Sequence, residues 1–440
     1  MARLFGTDGI RGVANRDLTP DLVVAVGRAA GAVLGGGGEV VVGRDTRVSG
    51  PMLEGALAAG LCSAGTDVAR AGVLPTPAVA WLTVAERARA GAVISASHNP
   101  GPDNGIKFFS ETGVKLASDL EDDIEAALGR DLALPRGEGA GTIRDLEEAT
   151  GRYVDHVAGT ISEPLKGLTV VLDCAHGAAF KAAPLAFTKA GAEVVAIHDT
   201  PDGTRINVDC GSTSLNDLRR AVVERGADLG LAFDGDADRV LGVDEAGRPI
   251  DGDRIVGLAA LRMLDSGEFD NKLVVVTVMS NLGFRRALEE AGIEVVAAPV
   301  GDRFVAEAMA ESGAVLGGEQ SGHVIFAAHG TTGDGIVTGL QVAAAVASSG
   351  TPLSRLAHFF EPFPQVLINV EVDAKERLES SEGLWEEVRS AEATLGEEGR
   401  VLVRASGTEP VVRVMVEAAD GPTAEATAKA LADAVRRHLI

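Results

Sequence analysis

One pattern occurs three times along the 440 residues and limits the possible folds more than any other feature. An apolar run leads through a polar loop into a helix-like stretch, then an Ala-Gly pair, then another apolar run. The first copy goes from Val40-Val41-Val42 through residues 52–63 to Ala64-Gly65 and Val68. The second goes from Val170-Val171-Leu172 through 180–189 to Ala190-Gly191 and Val194-Val195. The third goes from Val274-Val275-Val276 through 282–290 to Ala291-Gly292 and Val295-Val296. Short Val-rich runs favour strands, and Gly just past a helix lets its last turn reverse. Strand–helix–strand of this length closes as a right-handed parallel crossover. Three copies predict three similar α/β domains rather than one large sheet, in keeping with a chain too long for one core. After Phe360 the texture changes. Pro362 and Pro364 break the chain, strand-like segments follow at 366–372, 400–404 and 411–417, and a helix is expected over 423–439. That order predicts a smaller α+β domain beyond a hinge. Other boundaries are expected near 151–166 and 251–265.

Composition narrows the function classes. The formal net charge of −24 argues against a nucleic-acid or anionic-membrane partner, because phosphate backbones are bound by net positive surfaces. A small phosphorylated substrate remains open, since a local Arg/Lys pocket can hold one phosphate inside an acidic protein. Much of the acid, as at 119–125, reads as solvated helix face. Residues 1–13 lack the apolar stretch of a targeting signal, and the longest apolar run, 273–279, is far short of a membrane span, so a cytoplasmic protein is expected. Cys62, Cys174 and Cys210 show no CxxC spacing and read as reduced thiols. Glycine is high, 55 of 440 residues, which predicts many tight turns and close backbone approaches.

Ser95-Ala96-Ser97-His98-Asn99-Pro100 follows the apolar run 91–94, so it lies where a parallel strand ends, the usual ligand edge of an open α/β sheet. Pro100 and Gly101 make a turn expected to expose the preceding side chains. Ser97 there is either a nucleophile or part of an ordinary turn, and its neighbour His98 need not touch it. Asp234-Gly235-Asp236-Ala237-Asp238-Arg239 also ends an apolar run, 229–233. Carboxylates at i, i+2 and i+4 share one side of an extended segment and repel one another without a cation. Oxygen ligands suit a hard ion such as Mg²⁺. The spacing resembles the start of an EF-hand loop, but the residues up to Leu241 offer none of that loop's later ligands, and Arg239 suits a phosphate better. Arg404-Ala405-Ser406-Gly407-Thr408-Glu409-Pro410, with Arg413 beyond, offers N–H groups, hydroxyls and guanidinium forks for an anion. Gly317-Gly318-Glu319-Gln320-Ser321-Gly322-His323 places several hydrogen-bonding side chains on a glycine-rich loop. Two more loops carry Arg11 and Lys107.

Taken in order, these segments resemble the α-D-phosphohexomutase family over the whole chain: FGTDGIRG at 5–12, SASHNP at 95–100, DNGIK at 103–107, DGDADR at 234–239, VGDRFV at 300–305, GEQSGH at 318–323 and RASGTEP at 404–410. The resemblance implies three related mixed α/β (βαβ) domains plus a smaller C-terminal α+β domain around a central cleft, here expected at 1–153, 154–252, 253–362 and 363–440. It implies that Ser97 is the phosphoserine and that Ser97, Asp234, Asp236 and Asp238 hold one Mg²⁺ per subunit. Arg239, Asp302, Arg303, Glu319 and Ser321 would bind the sugar phosphate. Arg404, Ser406, Gly407, Thr408 and Arg413 would grip the phosphate that is not transferred. Arg11, Lys107, His98 and His323 would stand near the reacting oxygen, with Lys107, His98 and His323 as the candidate general acid/base. The usual Pro of the last motif is replaced by Ala405, which touches only loop rigidity.

The reaction implied is phosphoryl exchange between Ser97 and a hexosamine phosphate through a 1,6-bisphosphate intermediate. Gln320 and the Asp302-Arg303 pair resemble the branch that works on glucosamine phosphates. The rivals are a mutase for glucose or mannose phosphates, a Mg²⁺-dependent phosphatase, and a non-catalytic sugar-phosphate sensor, which would need neither nucleophile nor metal. Implied partners are the sugar phosphate and an activating phosphoryl donor, either a kinase or a bisphosphate such as glucosamine 1,6-bisphosphate. A homodimer is also admitted.

Overall fold

A computed structural model describes residues 3–6, 8–34, 37–406 and 410–439. The chain forms two compact units, one from the segment up to Met279 together with Gly292–His358, the other from Ser280–Ala291 and the segment from Phe359 onward. Each repeat of the sequence builds a sheet in the first unit. In the first, Glu39–Arg44 pairs in parallel with Asp67–Val73 on one side and Ala90–Ile94 on the other. In the second, Thr169–Asp173 lies between Glu193–Ile197 and Leu229–Phe233, again all parallel. In the third, Leu273–Thr277 lies between Glu294–Ala298 and Leu316–Gly318. Each third parallel strand is then followed by an antiparallel one: Asp103–Ser110, Val240–Asp244 and Val324–Phe326 respectively. The SASHNP, DGDADR and GEQSGH segments therefore occupy one topological position, the loop after the third parallel strand of each sheet. That is the carboxyl edge at which such sheets bind ligands.

The strands leading into these loops are apolar along their whole length because they are covered on both faces. Ala90–Ile94 and Leu229–Phe233 are buried at every residue. In the first sheet, helices Pro20–Val33 and Gly50–Ser63 pack at close range, and a Cβ on Gly60 would lie 2.3 Å from the Val24 carbonyl oxygen. Thr19 caps the first of these, its hydroxyl accepting the Leu22 N–H. Leu53, Leu57 and Leu61 on the facing helix are fully buried, each contributing about 1.5–3 kcal/mol.

One reading is corrected. Helix Ser118–Ala127 is not simply a solvated acidic face: Glu121 is buried beside Arg303, and Glu125 accepts the N–H groups of Leu4 and Phe5. The second unit joins a segment of the third repeat to the chain from Phe359 onward. Helix Leu282–Glu290 of the third repeat groups with it, because buried Glu417 accepts hydrogen bonds from Leu282 N–H at 3.0 Å, Asn281 Nδ2 at 3.3 Å and Arg400 Nε at 2.6 Å. Its sheet is antiparallel, with Gln365–Glu371 and Gly399–Ala405 flanking Val411–Ala418, and helices Glu382–Leu395 and Gly421–Leu439 supply its apolar core. Among the described residues no helix is long and apolar enough to cross a membrane, and the three cysteines are free.

Candidate active site

Ser97 is not exposed on its turn. It is 1% accessible, with backbone in the left-handed region (φ 52°), and its hydroxyl donates to Asp234 Oδ2 at 2.6 Å. Neighbouring groups over-determine that conformation. Ser95 Oγ accepts the Ser97 N–H at 2.9 Å and donates to Asp45 at 2.5 Å. The wholly buried Arg47 guanidinium pairs with Asp45 and donates to the carbonyls of Ser97, Asn99, Pro100 and Asp103. From the second sheet, Asn207 Nδ2 donates to the Ser97 carbonyl at 2.9 Å. Gly235 follows Asp234 where a Cβ would stand 2.6 Å from the Ser97 carbonyl oxygen, so only glycine lets the acidic loop approach this closely.

Asp234, Asp236 and Asp238 are all buried, and one oxygen of each lies within 4.8 Å of the others. Asp236 Oδ1 and Asp238 Oδ1 are buried with no hydrogen-bond partner among the described residues. Three converging carboxylates with unpartnered oxygens fit a hard divalent cation. Burial, then Asp238 and Asp236, push the Asp234 carboxyl well above its usual range. Asp236 moves the other way: burial would raise it, but Lys107, Thr76 and Arg11 together hold it well below. Thr76 Oγ1 donates to Asp236 at 2.7 Å.

The cations are set around this triad. Lys107 Nζ lies 3.1 Å from Asp8, 3.4 Å from Asp238 and 3.5 Å from Asp236. Burial would lower its pKa, but Asp236 and Asp238 outweigh that and raise it. Arg11 pairs with Asp8 and donates to Asn99 Oδ1 at 3.1 Å. Arg239 donates its N–H to Asp234 at 3.2 Å and bridges to His323 through the backbone. Although the residue is exposed overall, desolvation of the His98 ring, then Arg239 and Arg11, push its pKa down to about 4, and its Nδ1 is 3.3 Å from Ser97 Oγ. The His323 ring is buried, with Nε2 accepting the Gly333 N–H at 3.2 Å and Nδ1 lacking a partner among the described residues.

In the third loop Glu319 accepts the Gly301 N–H at 3.1 Å and lies 3.4 Å from Ser321 Oγ. Gly322, at φ 91°, lets the turn close against the Val240 carbonyl. Asp302 pairs with Lys115. Arg303, grouped in the sequence with the ligands, is committed elsewhere: its guanidinium donates to Glu121, the Leu116 carbonyl and Ser118. It braces the loop. In the second unit Arg404 stands directly across the strand pair from Arg413, and burial with that neighbouring charge lowers its pKa. Ser406 accepts at its carbonyl from Lys375 Nζ at 2.7 Å. Gly407 and Thr408 lie outside the described residues. Sequence reasoning missed Asp8, Asp45, Arg47, Thr76, Lys115 and Asn207. The Asp45-Thr46-Arg47 triplet after the first repeat's leading strand was a usable signal, since it opens the same kind of loop as the motifs that were read.

Comparison with known proteins identifies the family. Models of the phosphoglucomutase/phosphomannomutase family match in order: alpha/beta/alpha domain I over residues 2–133, domain II over 151–247, domain III over 251–363 and the C-terminal domain over 367–434. A phosphoglucosamine mutase of Streptomyces griseus is 54% identical, with 100% of both chains covered, and one of Moorella thermoacetica is 54% identical with 96% of each covered. Among solved structures, a phosphoglucomutase/phosphomannomutase family protein of Burkholderia thailandensis superposes with a TM-score of 0.84 at 28% identity, covering 99% of this chain and 97% of that one. With four consecutive domain matches and full-length relatives at this identity, the chain belongs to the phosphoglucomutase/phosphomannomutase family, the α-D-phosphohexomutases.

Proposed function

We propose that this chain interconverts glucosamine 6-phosphate and glucosamine 1-phosphate by way of a phosphorylated Ser97. The observation that carries the reading is the Ser97 hydroxyl, buried and 2.6 Å from the first carboxylate of a converging acidic triad. The name shared by relatives at 54% identity supports the choice of sugar. In the forward direction the bond from Ser97 Oγ to phosphorus breaks as the sugar's 1-hydroxyl oxygen bonds to that phosphorus, the hydroxyl giving up its proton and Ser97 Oγ taking one as it leaves. The resulting 1,6-bisphosphate turns over, and its 6-phosphoryl group returns to Ser97. Splitting the exchange into two in-line transfers lets one site serve both.

Asp234, Asp236 and Asp238 would hold a Mg²⁺, which when bound neutralises charge on the transferring group. The chain's own cations act on the same group: Lys107, kept charged by Asp236 and Asp238, serves as electrostatic stabiliser and proton donor, with Arg11 and Arg239 beside it. His98, uncharged near neutral pH, adjoins Ser97 Oγ through Nδ1 at 3.3 Å. Glu319 and Ser321 serve sugar hydroxyls, and Arg404 with Arg413 binds the phosphate that is not being transferred. First phosphorylation of Ser97 comes from an activating donor, either a kinase or the bisphosphate. Peptide mass should place one phosphate on Ser97, and a coupled assay with the 6-phosphates of glucosamine, glucose and mannose should rank glucosamine first. Preference for either hexose would move the assignment within the family, and turnover without serine phosphate would end the mechanism. Calorimetric titration with Mg²⁺ should show binding that Asp236→Asn weakens; binding of equal strength in both would remove the triad from this role.

A further inference from the structure

Asp302 differs from every other carboxylate of the site in what engages it. Asp234, Asp236 and Asp238 converge on one another, Asp8 is shared among Arg11, Lys107 and Lys115, and Glu319 is tied to the Gly301 N–H. Among the described residues Asp302 pairs with one side-chain cation, Lys115, whose Nζ lies 3.2 and 3.1 Å from its two oxygens; its Oδ1 also accepts the Arg303 N–H at 2.8 Å, and its side chain keeps 21% of its surface accessible. The loop behind it is fixed. The next residue, Arg303, is anchored on Glu121 at 2.9 Å, and the preceding Gly301 on Glu319 at 3.1 Å. Burial would raise the Asp302 carboxyl, yet Lys115, His323 and Lys107 hold it well below its usual range, so it stays anionic. Lys115 ties it to the reaction machinery, since the same Nζ lies 3.2 Å from Asp8, which pairs with Lys107 beside the acidic triad.

Such a carboxylate, rigidly held and paired with an ammonium, is a ready partner for a second ammonium. We propose that Asp302 binds the amino group of the sugar, with Lys115 as the cation that occupies it between substrates, so that this pair selects an amino sugar phosphate over a neutral hexose phosphate. The inference rests on the function proposed above and names the residue that makes its choice of substrate. A charged amine leaving water needs a carboxylate to compensate it, whereas a hydroxyl at the same position gains only one ordinary hydrogen bond and leaves the Asp302–Lys115 pair in place. Discrimination then comes from a polar group of the site that only one substrate satisfies.

The test is equilibrium binding by calorimetry on the full chain, with glucosamine 6-phosphate and glucose 6-phosphate as probes, for the parent and for Asp302→Asn and Lys115→Met. This readout stands whether or not the protein turns either sugar over, so failure of the mutase reading would show separately in the turnover assay. The affinity ratio favouring glucosamine 6-phosphate should fall by about tenfold or more in Asp302→Asn. In Lys115→Met, which removes the competing ammonium, the ratio should hold or rise. Proportional loss for both sugars in Asp302→Asn would make Asp302 a structural residue, and a fall of the ratio in Lys115→Met would give the discrimination to the lysine. Either result overturns the proposal.

Discussion

Ser97 carries both the chemistry and a backbone cost, since a non-glycine residue at φ 52° is uncommon and persists only where its surroundings hold it. Arg47 and Asn207 do so here through carbonyls of the same turn. Ser97→Ala keeps the backbone demand unchanged and removes one donor to Asp234, so folding should survive at a cost of about 1–3 kcal/mol. Turnover should drop below a few per cent of the parent in the coupled assay, with no phosphate found by mass. Substantial residual turnover would show that another group carries the phosphoryl. A second residue is testable through pH. Asp334 caps helix Gly335–Ser349, accepting the N–H groups of Ile336 and Val337 and the Tyr153 hydroxyl, and burial pushes its carboxyl up to about 6. Because the folded value lies above the unfolded one, the folded chain binds the proton more tightly. Stability from this group therefore falls as pH rises from about 4 to about 6 and is flat above. Asp334→Asn keeps the cap and removes the buried charge. It should raise Tm by a few degrees at pH 7.5, and the difference should fade towards pH 4.5. A variant less stable at both values would mean that the charge itself supports the helix. Arg47 shows why some residues escaped the sequence: four of its five acceptor groups are backbone carbonyls, which leave no complementary side chain to be read.

Elements rather than single residues explain why motifs far apart in the chain meet. The loops at 95–100, 234–239 and 319–323 each follow the third parallel strand of a repeat, so one topology used three times delivers three loops to equivalent edges. The repeats themselves were legible because parallel strands buried on both faces must be apolar throughout, and the Ala-Gly pairs mark where each helix stops. Helix Glu382–Leu395 was legible too but passed over: Leu384, Val388 and Leu395 recur at helical spacing between strongly acidic residues. The grouping of helix Leu282–Glu290 with the second unit was not, since it depends on buried Glu417, which in sequence is one more polar residue in a strand. In that unit the antiparallel register puts Arg404 and Arg413 opposite each other, where like charges repel unless an anion lies between them. Arg404→Ala should therefore relieve repulsion in the free protein and weaken phosphate binding. Tm should stay the same or rise, while kcat/KM for the sugar phosphate falls by about ten- to a hundredfold, the loss of one charge-assisted contact. Unchanged kinetics would make the strand pair purely structural.

At the scale of the whole molecule the charge sorts into two populations. The site gathers Arg11, Lys107, Lys115 and Arg239 against its own carboxylates, so its balance is set locally and was only partly legible: Arg11, Lys107 and Arg239 were visible in their motifs, but Lys115 was not, and Asp8, which joins three of these cations, looked like one turn residue among many. Outside the site some charges are buried, among them Asp45, Arg47, Asp334 and Glu417, and the rest is surface, where the acid dominates. With 64 Asp and Glu against 40 Lys and Arg, at least 24 carboxylates have no cation even if every base is paired, as the formal net charge of −24 states. Salt acts on both populations with opposite sign. It weakens exposed pairs such as Lys429–Glu425 and Arg437–Glu387, but such pairs contribute only about 0–1 kcal/mol each. It also screens the mutual repulsion of the surplus acids, a term that grows with the square of the excess and reaches across a Debye length of about 30 Å at 0.01 M salt but only about 8 Å at 0.15 M. The second effect should win. Raising NaCl from about 10 to about 300 mM at pH 7.5 should therefore raise Tm, steeply at first and levelling once the Debye length drops below the spacing of the surplus charges. Calorimetry or circular dichroism across that range is sufficient, with chloride used because sulfate would add its own exclusion effect on apolar burial. A Tm that falls as salt is added would mean that the ion pairs, among them the buried site network, outweigh the acidic surplus.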